Sequence, residues 1–497
     1  MSVIVNLRKM LHRKSAEYLN PNPAGNTTAG SFILGDASSF MPDNDSVVYV
    51  GGASAVWNYN ADEDGWVQGP NSGVAGTFGA GACGVIRAAF APGGASSSTA
   101  TAGTTTTLTT SLAIVRSLAN CKIRVISGTG IGYIGTIAKN TIGTNSIITV
   151  GTPSSVAFDN STVFQIFSGS VWFFCPGAGA VGFSVYDRAT NAWTARSVTN
   201  LPTTFGTDGK IISTAGISSN AGAGFVTGTA TAGASTTITL GADKTFVLNQ
   251  WTNFQVRITG GTGNGQIRSI ASNTAGASPV VTVSSAWTTT PDSTSTYVIE
   301  GNDDYLYLMG NAAVTLYRYS ISSNTWSTLT PGTARAAAIG GGGSSTWVDN
   351  ISDSTWTDGT YGTHFSGSAG TILKQNGRYI YSFRGGASNA LDVYDIAANT
   401  WLSGVTYGGQ METFTTGSCA IDSGGKIYIQ KEATGRIFRF DIVKNAMEPF
   451  GVNPVPQGNA IPSDKMFIQT FTEGATSIKF LYTLGNTRSE LTRWLII

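Results

Sequence analysis

The chain has 497 residues, a formal net charge of +1 and only 11% charged residues, whereas an average soluble protein has about 25%. This composition argues against a protein that holds nucleic acid or an anionic membrane by charge. The sequence contains no run of about 18 apolar residues, which argues against a membrane-spanning helix.

Residues 1–30 are predicted to form an N-terminal arm. Its apolar residues at positions 3, 7, 10 and 11 share one helical face, and Pro21 and Pro23 end any helix. The arm is interpreted either as a docking segment for a partner or as a cap on its own propeller. Its apolar residues precede its charges, unlike a secretion signal, so we expect no export by that route. Its basic residues are candidate partner contacts: Arg8, Lys9, Arg13 and Lys14.

A hairpin motif recurs along the chain, with an aromatic residue followed seven positions later by a large apolar one. Short polar runs rich in Asn, Asp, Ala and Thr separate the two, as in a turn between strands. One such hairpin cannot bury its aromatic face alone, so the repetition predicts a repeat protein. The five copies are YNADEDGW from Tyr59, YDRATNAW from Tyr186, YSISSNTW from Tyr319, YDIAANTW from Tyr394 and FDIVKNAM from Phe440.

Each hairpin follows an apolar strand and a glycine turn. A strand of small residues is predicted ahead of the apolar strand, at 80–86, 210–215, 334–339 and 418–421. Such a unit resembles a kelch-type blade, although its glycine pair is intact only at Gly51-Gly52 and Gly385-Gly386. We count six units, the last from Lys465 to Ile497. The fold class is therefore an all-β, six-bladed kelch-like propeller, to which residues 31–34 add a strand.

Two segments interrupt the propeller and resemble each other. KIRVISGTGIGYIGTIAKNT from Lys122 matches QVRITGGTGNGQIRSIASNT from Gln255. We call these segments module 1 and module 2 and predict them as small β domains at 99–168 and 227–301, with propeller at 31–98, 169–226 and 302–497. Both enter after the first strand of a blade and should emerge on one side of the ring. A third, shorter excursion is predicted at 343–376.

Groups for catalysis are scarce. The two histidines, His12 and His364, have no companions at ligand spacing. Neither the copper site of sugar-oxidising kelch enzymes nor the boxes of sialidase propellers can be matched to this sequence. We therefore predict a protein that is not an enzyme and has no catalytic residue, metal or cofactor. The four cysteines, at positions 83, 121, 175 and 419, are interpreted as reduced core thiols.

The glycine-rich runs of the two modules look like phosphate loops, but no Lys-Ser/Thr and no helix follow them, so tight turns between strands are the favoured interpretation. The acidic clusters Asp62–Gly65 and Asp303-Asp304 could hold calcium, but a turn is the favoured interpretation of Asp62–Gly65. As module tips, the runs are candidate partner contacts: Gly128, Gly130 and Gly132 in module 1, and Gly261, Gly263 and Gly265 in module 2.

Four features of the sequence point to a known family: NLRKMLHRKSAEYLNPNPAGNTTAGSF, TFGAGACG, the paired GTGxG runs and EGNDDYLYLMGNAAVTLYRYSISSNTW. Through them, nearly the whole chain resembles a family of tailed-bacteriophage virion structural proteins. A propeller with insertions on one side is similar to the tail nozzle, or hub, of short-tailed phages. That similarity implies a hexameric self-assembled ring in the virion tail, built in the host cytoplasm. Its partners would be the head–tail adaptor or portal and the tail fibre proteins, with DNA only in transit and no membrane insertion.

Two other functions stay open at this point. The first is a receptor-binding, fibre or capsid-decoration protein that recognises host surface glycans, with Trp251 and Trp287 of module 2 as the residues to test. The second, disfavoured, is a polysaccharide-degrading enzyme, because no pair of carboxylates with acid/base spacing can be identified.

Overall fold

The computed structural model describes most of both modules and of the later sheets, together with shorter strands elsewhere. The described residues are 17–18, 32–34, 46–50, 56–60, 65–68, 83–87, 97–112, 114, 122–141, 144–167, 171–175, 181–187, 192–201, 210–214, 226–302, 304–309, 313–339, 344–348, 377–410, 413–414, 420–422, 425–431, 436–452, 466–473, 476–484 and 491–496. Regular structure within them is entirely β-strand, so none of these residues belongs to a helix able to cross a membrane.

The first sixteen strands include those of module 1, whose strands run from residue 97 to residue 167. Before the module lie β1 (Glu17–Tyr18), β2 (Phe32–Leu34), β3 (Ser46–Val50), β4 (Val56–Asn60), β5 (Gly65–Gln68) and β6 (Cys83–Arg87). Module 1 contains β7 (Ser97–Gly103), β8 (Thr107–Thr110), β9 (Lys122–Ser127), β10 (Ile134–Asn140), β11 (Ser146–Val150) and β12 (Val163–Phe167). After it come β13 (Val171–Cys175), β14 (Ser184–Asp187), β15 (Ala192–Ala195) and β16 (Lys210–Ser213).

Module 2 follows, with strands from residue 226 to residue 300. It contains β17 (Val226–Thr229), β18 (Ala232–Ala234), β19 (Thr237–Thr239), β20 (Thr245–Phe246), β21 (Gln255–Gly260), β22 (Ile267–Asn273), β23 (Gly276–Ala277), β24 (Val280–Val283) and β25 (Thr296–Glu300). The remaining strands are β26 (Tyr305–Met309), β27 (Leu316–Ser320), β28 (Thr325–Leu329), β29 (Ser344–Trp347), β30 (Tyr379–Phe383), β31 (Leu391–Asp395), β32 (Thr400–Val405), β33 (Gly408–Gly409), β34 (Ala420–Asp422), β35 (Lys426–Lys431), β36 (Arg436–Asp441), β37 (Ala446–Val452), β38 (Met466–Glu473), β39 (Thr476–Leu484) and β40 (Leu491–Ile496).

Outside the modules, the described strands form six antiparallel sheets with four principal strands each. From the first strand outward they are sheet one (β2-β3-β4-β5), sheet two (β6-β13-β14-β15), sheet three (β16-β26-β27-β28), sheet four (β29-β30-β31-β32), sheet five (β34-β35-β36-β37, with β33 parallel to β37) and sheet six (β38-β39-β40-β1). First strands contact each other in the closed order β2, β6, β16, β29, β34, β38 and back to β2. Such a ring of sheets is a propeller, and the predicted all-β propeller class is confirmed.

The recurring aromatic motif forms the outer hairpin of sheets one to five. Tyr319 lies directly opposite Trp326, and Tyr394 lies opposite Trp401, with ring centroids 5.0 and 5.2 Å apart. The same pairing joins Phe440 to Met447. Buried aromatic pairs of this kind contribute about 0.5–1.5 kcal/mol beyond the area they bury. Trp326 and Trp401 are each only 2% exposed, so they stabilise blades and do not line an open surface.

An asparagine in the hairpin turns of sheets three and four explains why the distance from tyrosine to tryptophan in the motif is fixed. Asn324 and Asn399 have φ angles of 54° and 48°, in the left-handed region that asparagine tolerates. The hydroxyl of Tyr319 donates to Asn324 Oδ1, and that of Tyr394 donates to Asn399 Oδ1, each at 2.6 Å. Asn399 then donates to the carbonyl of Thr330, which follows the last strand of the preceding sheet, at 3.1 Å. The motif therefore closes a hairpin and fastens it to the neighbouring sheet.

Apolar cores fill the spaces between consecutive sheets. Between sheets two and three, the buried residues include Cys83, Cys175, Phe183, Leu308 and Trp326. Cys83 and Cys175 are fully buried, lie opposite each other on β6 and β13, and form no disulfide. The other two cysteines lie outside the described residues. Further clusters join sheet three to four, four to five and five to six.

One expectation about the propeller was wrong in detail. The first strand of sheet four is β29, whereas residues 334–339, predicted for this role, lie in the loop before it. Arg335 in that loop is buried and donates to Asp392 at 2.8 Å, a contact that its position outside the sheet allows. Within the predicted arm, Glu17 and Tyr18 form β1, which pairs with β40 and completes sheet six. Most of the predicted third excursion, from residue 349 to 376, lies outside the described residues.

The two modules have the same strand order. Module 1 is a closed barrel in which neighbours follow the order β10-β11-β8-β7-β12-β9. The main sheet of module 2 runs β17-β25-β21-β22-β24-β19-β18, and its two ends, β17 and β18, together occupy the place of β7. Module 2 is thus the same barrel with one strand interrupted at residues 230 and 231. Module 1 interrupts sheet two and module 2 interrupts sheet three, in each case between the first and second strands.

Candidate functional site

The six glycines singled out in the sequence lie in two corresponding loops. Loop 1 (residues 128–132, GTGIG) joins β9 to β10, and loop 2 (residues 261–265, GTGNG) joins β21 to β22. Each residue of loop 1 corresponds to the residue 133 positions later in loop 2. Strands flank both loops, as the turn interpretation predicts. The basic residues Arg8, Lys9, Arg13 and Lys14 lie outside the described residues.

Both loops require glycine for conformational reasons. The φ angles are 75°, 81° and 84° at positions 128, 130 and 132, and 71°, 79° and 86° at positions 261, 263 and 265, a region that other residues seldom adopt. A side chain at Gly128 would also strike the carbonyl of Ser161, and one at Gly261 would strike the carbonyl of Thr294. The spacing of glycines is therefore fixed by backbone geometry in both modules.

A small polar cluster supports each loop in the same way. In module 1, Asp159 accepts hydrogen bonds from the hydroxyls of Ser161 and Thr129 at 2.6 and 2.7 Å. In module 2, Asp292 accepts from Thr294 and Thr262 at 2.6 and 2.8 Å. The bonds from Ser161 and Thr129 hold the pKa of Asp159 below its ordinary value of 3.8. Those from Thr294 and Thr262 do the same to the pKa of Asp292. The hydrogen bonds to these two carboxylates brace the loops.

The two loops meet, and we call their contact the module interface. Asn264 Nδ2 donates to the carbonyl oxygen of Ile131 at 3.3 Å. A side chain at Gly132 would overlap the amide of Asn264, and one at Gly265 would lie 2.7 Å from Ile131 Cγ1. Because Ile131 corresponds to Asn264 and Gly132 to Gly265, each loop touches the other through equivalent residues. This is the pattern of a two-fold, isologous contact, here formed within one chain.

Module 2 is also fastened to the propeller. Asn253 Nδ2 donates to the carbonyl of Ile396 in the sheet-four hairpin at 2.9 Å, and Arg318 of sheet three donates to Asn253 Oδ1 at 3.1 Å. Ala397 of the same hairpin belongs to the module 2 core, and Trp347 packs against that core. Among the described residues, the core of module 1 draws only on module 1 itself. Module 2 therefore links the module interface to the ring.

A buried ion pair lies at the base of module 2. Arg257 donates through Nε and Nη2 to the two carboxylate oxygens of Glu300 at 2.9 and 3.0 Å, and Gln255 donates to the same carboxylate at 2.9 Å. All three residues are less than a tenth exposed. Module 1 has Arg124 at the position of Arg257 and Phe167 at that of Glu300. Phe167 has no carboxylate, so the contact that Glu300 provides has no counterpart at that position of module 1.

The tryptophans considered for glycan binding are core residues, so that hypothesis for them was wrong. Trp251 is 0% and Trp287 6% exposed, and both belong to the module 2 core. Trp251 packs edge-on against Phe254 at 5.0 Å between centroids. A sugar cannot stack on either ring without unfolding the module.

Other predicted chemical groups are either structural or outside the described residues. Asp304 accepts from the Ser320 hydroxyl and the Ser322 backbone at 2.6 and 2.7 Å, which fits a turn. Asp303, His12 and His364 lie outside the described residues, as do positions 61–64 of the other acidic turn. Within the described part of the chain, no three metal-binding side chains come together.

Sequence reasoning located the glycine loops but missed their contact with each other. Ile131 and Asn264 differ in type although they occupy corresponding positions, so no shared motif marked them. The supporting clusters could have been found, because Asp159 and Asp292 begin corresponding runs, DNST and DSTS, in the two modules.

Comparison with known proteins yields similarity in structure alone. No family model and no curated protein sequence matches this chain. A chain in "Crystal Structure of Mitotic Checkpoint Complex" has 9% identity and a TM-score of 0.30, covering 96% of each chain. The RRP9 WD40 repeats have 7% identity and a TM-score of 0.32, covering 97% of this chain and 98% of that one. "YCF48 bound to D1 peptide" has 8% identity and a TM-score of 0.31, covering 98% and 97%.

Proposed function

We propose that this protein is a non-enzymatic structural subunit of a bacteriophage tail, a nozzle or hub ring through which DNA leaves the particle. The propeller would form the body of each subunit, and the two modules would form an appendage that holds tail fibres. The adaptor or portal would contact the opposite side of the ring. The proposal combines the family resemblance of the sequence with the arrangement of the two modules in the structure.

The observation that carries the proposal is the joining of the two modules at the module interface. They leave neighbouring sheets at equivalent points and touch through equivalent loop residues, and module 2 is also tied to sheet four by Asn253. The two modules are thus joined to the propeller at sheets two and three by the chain and at sheet four by module 2, an arrangement that suits a protein under mechanical load. A fibre could bind both barrels of such a projection at one combined surface. Two barrels that did not touch would have to be bound separately.

The composition supports the conduit role. A channel that releases DNA should bind it weakly, and phosphate binding depends mainly on Lys and Arg. The chain has 29 such residues among 497, balanced by 28 acidic ones. DNA in transit would therefore meet few groups able to retain it.

The test is to locate module 2 in the assembled particle by cryo-electron microscopy, using an antibody fragment that binds around Val247 and Leu248. These side chains are 45% and 67% exposed, so the fragment can reach them in the folded protein. We expect label in a ring around the tail axis. Particles carrying Leu248→Asp, which should lose the label and keep normal assembly, provide the matched control.

Other positions of the label would replace the proposal. Label over the capsid would indicate decoration, and label at fibre tips would indicate receptor binding. Binding to host glycans in an array, lost on substitution of an exposed module residue, would support the second of these.

A further inference from the structure

The module interface contains a sequence pair with its own chemistry. Asn264 is followed by Gly265, and the only other Asn-Gly pair in the chain is Asn376-Gly377. In such a pair, the backbone nitrogen of the glycine can attack the side-chain carbonyl carbon of the asparagine. Glycine permits this best because it has no Cβ to hinder the approach, and asparagine is accordingly a heat-labile residue.

Water is the only co-reactant that the reaction needs. The bond from Gly265 N to Asn264 Cγ forms, the bond from Cγ to Nδ2 breaks, and the amide leaves as ammonia with the proton of the glycine nitrogen. Water then opens the resulting cyclic imide at one of its two carbonyl carbons. The products are an aspartate or an isoaspartate at position 264, and neither an oxidant nor an enzyme is required.

In the folded protein each of the two reacting groups makes a hydrogen bond to another residue. The nitrogen of Gly265 donates to the carbonyl of Ile258 within module 2 at 2.9 Å. The amide of Asn264 is held by module 1, through the bond to Ile131 and the close packing on Gly132. The attacking atom is thus restrained by its own hairpin, and the atom under attack by the other module.

We propose that Asn264-Gly265 is a deamidation site whose reactivity is restrained by the pairing of the two modules. While the loops are in contact, the hydrogen bond to Ile131 and the packing on Gly132 restrain rotation of the Asn264 side chain. When the loops separate, this restraint is lost and only the hairpin bond opposes the reaction.

The reaction would also make the separation permanent. The Asn264 amide donates to the Ile131 carbonyl, but a carboxylate at position 264 only accepts hydrogen bonds. Two acceptor oxygens would then face each other across the module interface. Module 1 has no equivalent reaction, because Ile131 stands where module 2 has Asn264.

The experiment compares Ile131→Ala with Ile147→Ala in the full-length protein. Both isoleucines belong to module 1 and have nearly equal exposure, 41% and 42%; Ile131 lies in loop 1 and touches loop 2, whereas Ile147 lies on β11. Each protein is incubated at neutral pH, and deamidation at position 264 is followed by peptide mass spectrometry. Ile131→Ala should raise the rate roughly three- to tenfold, because a weaker contact opens more often. Ile147→Ala should leave it unchanged.

Denatured full-length protein supplies the unrestrained rate, with Asn376-Gly377 as an internal reference. Gly132→Ala is a second way to open the contact, since its new methyl group would strike Asn264, and it should accelerate the reaction at least as much as Ile131→Ala. Equal rates at position 264 in the native and denatured wild-type protein would overturn the proposal. So would unchanged rates in both interface variants, provided that their circular dichroism and unfolding midpoints show folded proteins.

Discussion

Module 1 and module 2 share a strand order, a glycine loop and a supporting aspartate cluster, yet they are stabilised differently. Module 1 closes its barrel with one continuous strand, β7, and its described core is self-contained. Module 2 divides that strand into β17 and β18 and shares its core with Ala397 of sheet four. One copy of the module thus keeps an intact barrel, while the other is adapted to bind the propeller. Variants at corresponding positions of the two modules can test this difference.

The greatest difference should follow from removing a large core side chain in each module. Trp251→Ala and Phe164→Ala should each destabilise their own module by about 3–5 kcal/mol, because both side chains are fully buried. Only Trp251→Ala should also weaken sheet four, through the core shared with Ala397. Hydrogen exchange of the backbone amides of residues 391–397 measures how far the destabilisation extends into sheet four. Equal protection of this segment in the two variants would contradict the comparison.

Breaking the buried ion pair should affect module 2 by a slightly smaller amount. Glu300→Ala leaves Arg257 charged and buried, which costs about 3 kcal/mol or more. The double variant Arg257→Met, Glu300→Leu removes both charges and should recover most of that loss, since apolar replacement of a buried pair is often neutral. Urea unfolding of the three proteins provides the measurement. A double variant as unstable as Glu300→Ala would show that the charges themselves stabilise the module.

The loops should respond alike in both modules. Gly128→Ala and Gly261→Ala force a side chain into a positive-φ position and against a carbonyl group, so we expect each to cost about 2 kcal/mol or more. Gly276→Ala is the control, because it has a φ of 93° but open space around the new methyl group, and it should cost only the conformational part. Thermal unfolding of each variant gives the comparison. A marked difference between positions 128 and 261 would show that the loops are not equivalent.

The smallest effect should appear in acid. Because hydrogen bonding holds the pKa of Asp159 and of Asp292 below 3.8 in the folded state, ionisation of each favours folding above the unfolded pKa. This contribution is lost as the pH falls through the lower, folded pKa. Asp159→Asn should flatten the pH dependence of module 1 below about pH 4, and Asp292→Asn that of module 2. Unfolding midpoints between pH 2 and pH 5, measured for each variant, will show whether the losses match.

The propeller could be predicted because its signals are local. The spacing of Tyr394 and Trp401 reflects direct cross-strand pairing, and a pairing in a hairpin needs only neighbouring residues. The role of Asn399 was not seen, because a left-handed φ leaves no mark on hydrophobic periodicity. β29 was misplaced because Ser344–Trp347 is short and polar, whereas the preceding Ala-rich run looked more like a small-residue strand.

The module interface could be predicted only in part. The glycines were found because the backbone conformation demands them in both copies. Their contact was missed because it joins residues 133 positions apart and depends on how two barrels lie relative to each other. The burial of Trp251 and Trp287 was also missed. An aromatic residue in an inserted domain has the same sequence signature whether it faces a core or a ligand, and only packing separates the two.

The composition of sheet six affects the order in which the protein folds during synthesis. Its outer strand, β1, comes from the start of the chain, while β38, β39 and β40 come from the end. During synthesis, β1 leaves the ribosome long before its partner β40 exists, whereas the hairpins of sheets two to five have partners close by in the sequence. Closing the ring must therefore be a late event that brings the most distant described strands together, and contacts of such long range form slowly. Until then the nascent protein is an open arc with an unpaired strand at each end, which is the state most exposed to aggregation and to chaperones.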